Sequence, residues 1–503
     1  MTEPADRIFT NAAVHTLAAD DTAEAVAVRD GTIVRVDSAY EVGFLDGATT
    51  DVVDLGGRIL LPGFVDAHTH LELTGRRARE ADLGGADSPE DCLSSLETRA
   101  ATTTGWILGF GYDESAWDGE YLTRDQLDTV STDRPVAAFR EDMHVASVNS
   151  VVLERHRGTL PAGDVRTDDG EPTGVLVEGA VSVLNEAIRP DREQVREYLL
   201  TAQAHANERG VTAVHEMVRH STSPRVYRDL ALAGELTLRV RLNYWADHLD
   251  AVLEAGLATN HGGERVQMGG IKTYTDGSLG GRTARLREPY ADADTRGDWV
   301  TDPADLAALV ERVDDAGLQF AAHAIGDEAI GAVLDALSGT DGDRHRIEHA
   351  EVLTGDLVDR LATAEVIVSA QPNFLKWADE GGLYDARLGP ERRRATNRFR
   401  DLVDAGATLA FGSDCLPLDP LVGIDNVVNA PEPAQQLDVT EALQAYTVGG
   451  AYAGFDGADL GTIERGKRAD LVALEASPWE TDAIADIDVA LTAVGGDIVY
   501  DGR

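Results

Sequence analysis

Six side chains in this sequence have the types and places that metal chemistry needs. His68 and His70 stand two apart at the end of an apolar run, and residues two apart on a strand face the same side. Both imidazoles can therefore aim at one ion, and neutral imidazole suits Zn²⁺ and related divalent metals. An isolated H-x-H pair is as readily two structural histidines. The neighbours give this one weight. His323 ends the run Gln319–His323, His349 ends Arg346–His349, Asp414 follows Thr408–Gly412, and Lys272 lies in Gly270–Tyr274. Of 13 histidines, the four just named close such runs, and strand ends are where barrel enzymes place their chemistry. Lysine is itself rare here, with Lys272, Lys376 and Lys467 the only three.

These residues need a scaffold of parallel strands. Eight short apolar runs alternate with amphipathic helical stretches: Leu60–Asp66, Val211–His215, Leu238–Tyr244, Gly270–Tyr274, Gln319–His323, Arg346–His349, Val366–Ala370 and Thr408–Gly412. Alternation of this kind predicts βα units, and eight is the count of a (β/α)₈ barrel. Helices are expected over Ala304–Ala316 and Asp327–Leu337, with Gly317 and Gly406 as C-terminal stops. About 140 residues separate the first run from the second, against about 30 for an ordinary βα unit. An inserted subdomain over residues 71–209 is therefore expected, leaving the first strand beside the site and roofing it. Residues 1–59 and 454–503 are β-rich, with hairpin turns at Asp30-Gly31 and Gly495-Gly496. They predict a composite β-sandwich built from both termini. The barrel is left with residues 60–70 and 210–453.

Composition bounds the partners. The chain has 503 residues and 43% hydrophobic content, enough for a large core. It carries 44 basic against 89 acidic side chains, a net charge of −45. Acids spread along the whole length predict a solvated acidic surface of the kind that works in high salt. Nucleic acid and anionic membranes, which need basic surface, are excluded as partners. Cys92 and Cys415 form no C-x-x-C motif and imply no disulfide framework. The N-terminal stretch lacks the pattern of a signal peptide, and no run reaches a membrane span, so a cytoplasmic location is expected. A small-molecule substrate fits, and a homo-oligomer is compatible with all of this.

The motifs, taken together, resemble the amidohydrolase superfamily and within it the YtcJ-like, amidohydrolase-3 type. The resemblance rests on LPGFVDAHTH (Leu61–His70), GWILGFGYDESAW (Gly105–Trp117) and GIKTYTDGSLGGRTA (Gly270–Ala284). It continues through AAHAIGDEAI (Ala321–Ile330), RHRIEHAEVL (Arg344–Leu353), SAQPNF (Ser369–Phe374), LAFGSDCLPLDP (Leu409–Pro420) and GKRADLVAL (Gly466–Leu474). They run in family order over nearly the whole chain.

The resemblance implies that His68, His70 and Asp414 hold one divalent metal, zinc by preference. His323 and His349 hold a second if there are two ions, and Lys272, carbamylated by CO₂, bridges them. It implies hydrolysis of a non-peptide C–N bond in an amide, formamide or cyclic amide, with Asp414 moving the proton. An esterase or lactonase on the same metal, and a non-catalytic regulatory protein on the same scaffold, are the alternatives. Further assignments are His144, Arg282 and Trp377 as substrate contacts, the first by a motif in the insert and the second in the Gly-rich loop after Tyr274. His215 and Glu216, ending the second strand, are expected to orient a ligand imidazole. Trp106 and Trp117 are expected to be either pocket lining or plain core.

Overall fold

The computed structural model describes residues 3–18, 22–114, 117, 120–140, 143 and 145–503. It divides into two compact units, Met1–Leu71 with Gln203–Arg503, and Glu72–Ala202.

The first unit contains the barrel. Its strands are β1 (Phe64–Thr69), β2 (Val211–Val218), β3 (Arg239–Trp245), β4 (Val266–Tyr274), β5 (Gln319–Ala324), β6 (Arg346–His349), β7 (Ile367–Ala370) and β8 (Thr408–Phe411). They pair in parallel in sequence order as one eight-stranded sheet. All eight predicted runs contribute to it, but the first is shifted. Leu60 and Leu61 belong to a separate strand, Ile59–Pro62, which pairs with Leu471–Leu474 in another sheet. Gly63 makes the break, its N–H donating to Asp470 O at 2.9 Å. A run apolar throughout hides such a break, because both pieces are buried.

The ends of the sheet meet at the top. Asp414 N–H donates to His68 O at 2.8 Å, and Ser413 N–H donates to Asp66 Oδ1 at 3.1 Å. A Cβ on Gly412 would lie 2.4 Å from His68 N, so only glycine lets β8 come this close to β1. Register then sets the strand ends level, with Tyr274 opposite His323 and Ala324 opposite His349.

Helices cover the outside for ordinary reasons. Over Pro303–Asp315, Asp302 caps the N-terminus by accepting from Ala304 N, and Leu306, Val310 and Val313 form the buried stripe. The β module consists of a four-stranded sheet (Arg7–Thr10, Ala25–Arg29, Thr32–Asp37, Asp51–Asp54) and a six-stranded sheet. The latter joins Ala13–His15, Thr22–Ala23 and Ile59–Pro62 to Leu471–Leu474, Val489–Val494 and Asp497–Asp501. The two share one core, including Phe9, Val26, Leu60, Leu471 and Leu491.

The second unit has its own six-stranded sheet, running in order Val165–Asp168, Glu171–Val177, Val145–Val148, Val136–Arg140, Ile107–Tyr112 and Ala81–Asp82. Alternation splits its side chains between two apolar cores, and a register shift between Phe110 and Tyr112, at Gly111 (φ 99°), moves Tyr112 to the face opposite Phe110. Leu108, Phe110, Ala137 and Phe139 face one, with Trp106 against them. Ile107, Tyr112, Val136 and Ala138 face the other, with Cys92, Leu96 and Trp117. Cys92 and Cys415 are both buried and in no disulfide. Among the described residues, no helix is long and apolar enough to cross a membrane.

Candidate metal centre

The mouth of the barrel gathers the six predicted residues from five strands. His68 lies on β1, with His70 just past its end. Lys272 is on β4, His323 on β5, His349 closes β6, and Asp414 follows β8. Donor atoms of His68, His349 and Asp414 all lie within 4.8 Å of one another. His70 Nε2 is 3.3 Å from Asp414 Oδ1, and His68 Nε2 is 3.7 Å from the same oxygen. The rings of His323 and His349 are 4.5 Å apart, and those of His68 and His349 are 5.0 Å apart. Imidazoles together with a carboxylate are a donor set that suits a divalent ion such as zinc.

The backbone is bent to achieve this. His349 (φ 72°), Ala350 (φ 50°), Asp414 (φ 48°) and Cys415 (φ 58°) all take the left-handed region. Each costs about 1–3 kcal/mol and persists only when its surroundings hold it. Without that turn His349 would face the opposite side of β6 from its neighbour Glu348.

Electrostatics keep three of the four histidines neutral, whereas for His70 burial is outweighed by the hydrogen bond and charge of Asp414, which raise it above the ordinary imidazole range. Burial, together with nearby cationic groups, holds His68 and His323 below the ordinary imidazole range and His349 down to about 3, so all three are neutral near pH 7. Burial works against ionisation of Asp414, but His68 and His70 beside it outweigh burial and hold its carboxylate well below the usual range. Lys272 is 1% exposed, and burial lowers it to about 8. Its Nζ lies 5.8 Å from the Trp245 ring centre and 5.6 Å from that of Tyr274. Among the described residues it makes no ion pair.

Four residues that the sequence reading did not select support the cluster. Glu348 Oε2 lies 2.7 Å from His68 Nδ1. Arg346, fully buried inside the barrel, donates from Nε to Glu348 Oε1 at 2.8 Å and from Nη2 to Ser369 Oγ at 2.9 Å. Gln371 Oε1 lies 2.6 Å from His349 Nδ1. Asp276 accepts the backbone N–H groups of Arg285, Ile325 and Gly326 at 2.7–3.0 Å, pinning the Gly-rich loop to the end of β5. A signal existed for two of them. In the strand Arg-Ile-Glu-His, Arg346 and Glu348 alternate on one face as an ion pair would, although Arg344-His345-Arg346 looks like a basic surface patch.

The remaining candidates are spread. His215 sits on β2 with Nδ1 2.7 Å from Arg346 Nη1, so it touches the arginine behind Glu348. Glu216 accepts the backbone N–H of Leu71 at 2.8 Å, fixing the turn after His70. Trp377 packs on Phe374 at 4.8 Å, and Phe374 stacks on His349 at 6.0 Å. Arg282 is held by Asp292, at 3.0 and 2.7 Å. His144 lies outside the described residues.

Residues 51–500 match the Amidohydrolase family. The chain is 32% identical to the putative amidohydrolase YtcJ of Bacillus subtilis (strain 168), with 96% of each chain covered. It is 26% identical to the N-substituted formamide deformylase of Arthrobacter pascens, over 100% of this chain and 99% of that one. Among solved structures, a metal-dependent hydrolase from Pyrococcus horikoshii superposes with a TM-score of 0.83 at 31% identity, covering 95% of this chain and 98% of that one.

Proposed function

The chain belongs to the amidohydrolase family, and from that premise we propose that it hydrolyses a non-peptide C–N bond in an amide, formamide or cyclic amide of a small molecule. The observation that carries the reading is the convergence of His68, His349 and Asp414, with donor atoms within 4.8 Å of one another at the barrel mouth. The deformylase relative acts on N-substituted formamides by its name, which favours an amide bond.

His68, His70 and Asp414 would hold a divalent ion, zinc by preference, with His323 and His349 holding a second where two are bound. Lys272, buried and without an ion pair among the described residues, would add CO₂ at Nζ and release a proton, becoming a carbamate that offers carboxylate-like oxygens to the metal centre. Such an ion supplies Lewis acidity, polarising the scissile carbonyl and acidifying water. Asp414, ionised and beside both His68 and His70, takes the proton that attacking water gives up and returns it to the leaving nitrogen. Water adds to the carbonyl carbon, the C–N bond breaks, and a carboxylate and an amine leave. Phe374 and Trp377 offer an apolar wall beside His349. A cytoplasmic location belongs to the same reading, supported by two buried cysteines in no disulfide.

The test is a matched panel of amides and esters with the protein as purified, after chelation, and after return of Zn²⁺. Amide turnover lost on chelation and restored by Zn²⁺ is expected. Turnover of esters alone would make it an esterase, and no turnover of either would leave a non-catalytic scaffold.

A further inference from the structure

Each ligand imidazole has two ring nitrogens, and the partner of one decides what the other can do. A carboxylate only accepts, so Glu348 at 2.7 Å fixes the proton of His68 on Nδ1 and leaves the Nε2 lone pair toward Asp414. Gln371 does the same for His349 Nδ1 at 2.6 Å. Its own Nε2 donates to Ser369 O at 3.4 Å, the arrangement in which Oε1 faces the ring. His323 is the mirror case: Nε2 faces Gly277 O at 3.0 Å, leaving Nδ1 as the free lone pair.

The three acceptors differ in charge. Gln371 and the Gly277 carbonyl are neutral, and the Asp276 carboxylate stands 3.6 Å from His323 Nε2, farther than the 3.0 Å of the Gly277 carbonyl. Glu348 is a carboxylate that Arg346 grips through both oxygens, Oε1 at 2.8 Å and Oε2 at 3.1 Å. Arg346 in turn is fixed by Ser369 and His215, so the carboxylate cannot swing away from His68. An anionic acceptor pushes electron density onto the imidazole and raises its basicity, whereas a neutral one does so less.

We propose that Glu348, clamped by Arg346, and Gln371 are positioning residues that set the tautomers of His68 and His349, and that the carboxylate makes His68 the strongest metal donor of these three imidazoles. This inference rests on the metal-centre reading above.

The experiment is a titration of chelator-stripped full-length protein with Zn²⁺ against a chromophoric competitor. Glu348→Gln is expected to weaken Zn²⁺ binding about 10- to 100-fold, and Gln371→Met by a clearly smaller factor. Affinity within twofold of wild type in Glu348→Gln, or a larger loss in Gln371→Met, overturns the proposal. If Glu348→Gln does not fold, Gln371→Glu decides. It gives His349 an anionic acceptor and is expected to tighten Zn²⁺ several-fold, and unchanged or weaker binding overturns the proposal. Wild-type protein that takes up no Zn²⁺ overturns the metal-centre reading as well. Wild-type binding with unaltered variants overturns this inference alone.

Discussion

The barrel and the insert each contain a sheet with parallel strands, yet they fill their interiors differently. In the insert, alternate residues of Ile107–Tyr112 and Val136–Arg140 feed two apolar cores, where Phe110 stacks on Phe139 at 5.0 Å. Its fully buried Asn149 is satisfied by Val136 N, Val152 N, Ser131 O and Arg134 O. In the barrel, the buried set includes Asp66, His68, Lys272, His323, Arg346, Glu348 and His349. Burying charge is costly unless it is paired, so such an interior is a poor way to gain stability. The difference teaches that the insert sheet is built to pack, whereas the barrel mouth spends packing on positioned donors and strained backbone.

Asp414→Asn should produce the largest effect, lowering amide kcat by about 10²- to 10⁴-fold. Steady-state assays and calorimetry should show this with little change in melting temperature, because the barrel mouth trades stability for chemistry. A comparable loss of stability would break the comparison. Phe139→Ala is its counterpart in the insert. It should lower unfolding free energy by about 3–5 kcal/mol in urea and leave zinc stoichiometry unchanged, as read by elemental analysis.

Arg346→Met sharpens the contrast inside the barrel. With Glu348 left buried without its arginine, stability should fall by about 3–5 kcal/mol. The double variant Arg346→Met, Glu348→Leu should regain most of that in urea titrations while zinc affinity stays low, separating the pair's structural and positioning roles. The smallest effect concerns Cys92, which lies wholly inside an insert core with its thiol pushed up by burial to about 11. At pH 8 its alkylation, followed by mass spectrometry of the Cys92 peptide, should run on the order of 10²-fold slower than in denatured chain. Rapid labelling would show that the insert core opens readily.

Much of this was legible in the sequence because the signals are local. Period-2 alternation puts His68 and His70 on one face, and helical spacing sets Leu306, Val310 and Val313 into one stripe. The order of βα units determined the barrel, and the β-rich ends determined a module drawn from both termini. Strand ends carrying His323, His349 and Asp414 marked the mouth.

Tertiary structure decided the rest. Nothing in an unbroken apolar run says that Leu60 and Leu61 pair with Leu471–Leu474 while Phe64 begins β1; that choice depends on a partner more than 400 residues away. Arg346 reads as one member of a basic triplet, and only closure of the barrel buries it against Glu348 and His215. His349 should face away from Glu348 by alternation, and left-handed backbone at His349 and Ala350 turns it inward. The sequence by itself determines which residues alternate, where chains turn and which side chains can bind an ion. Which of them meet is set by long-range pairing and by strain that only the assembled barrel can hold.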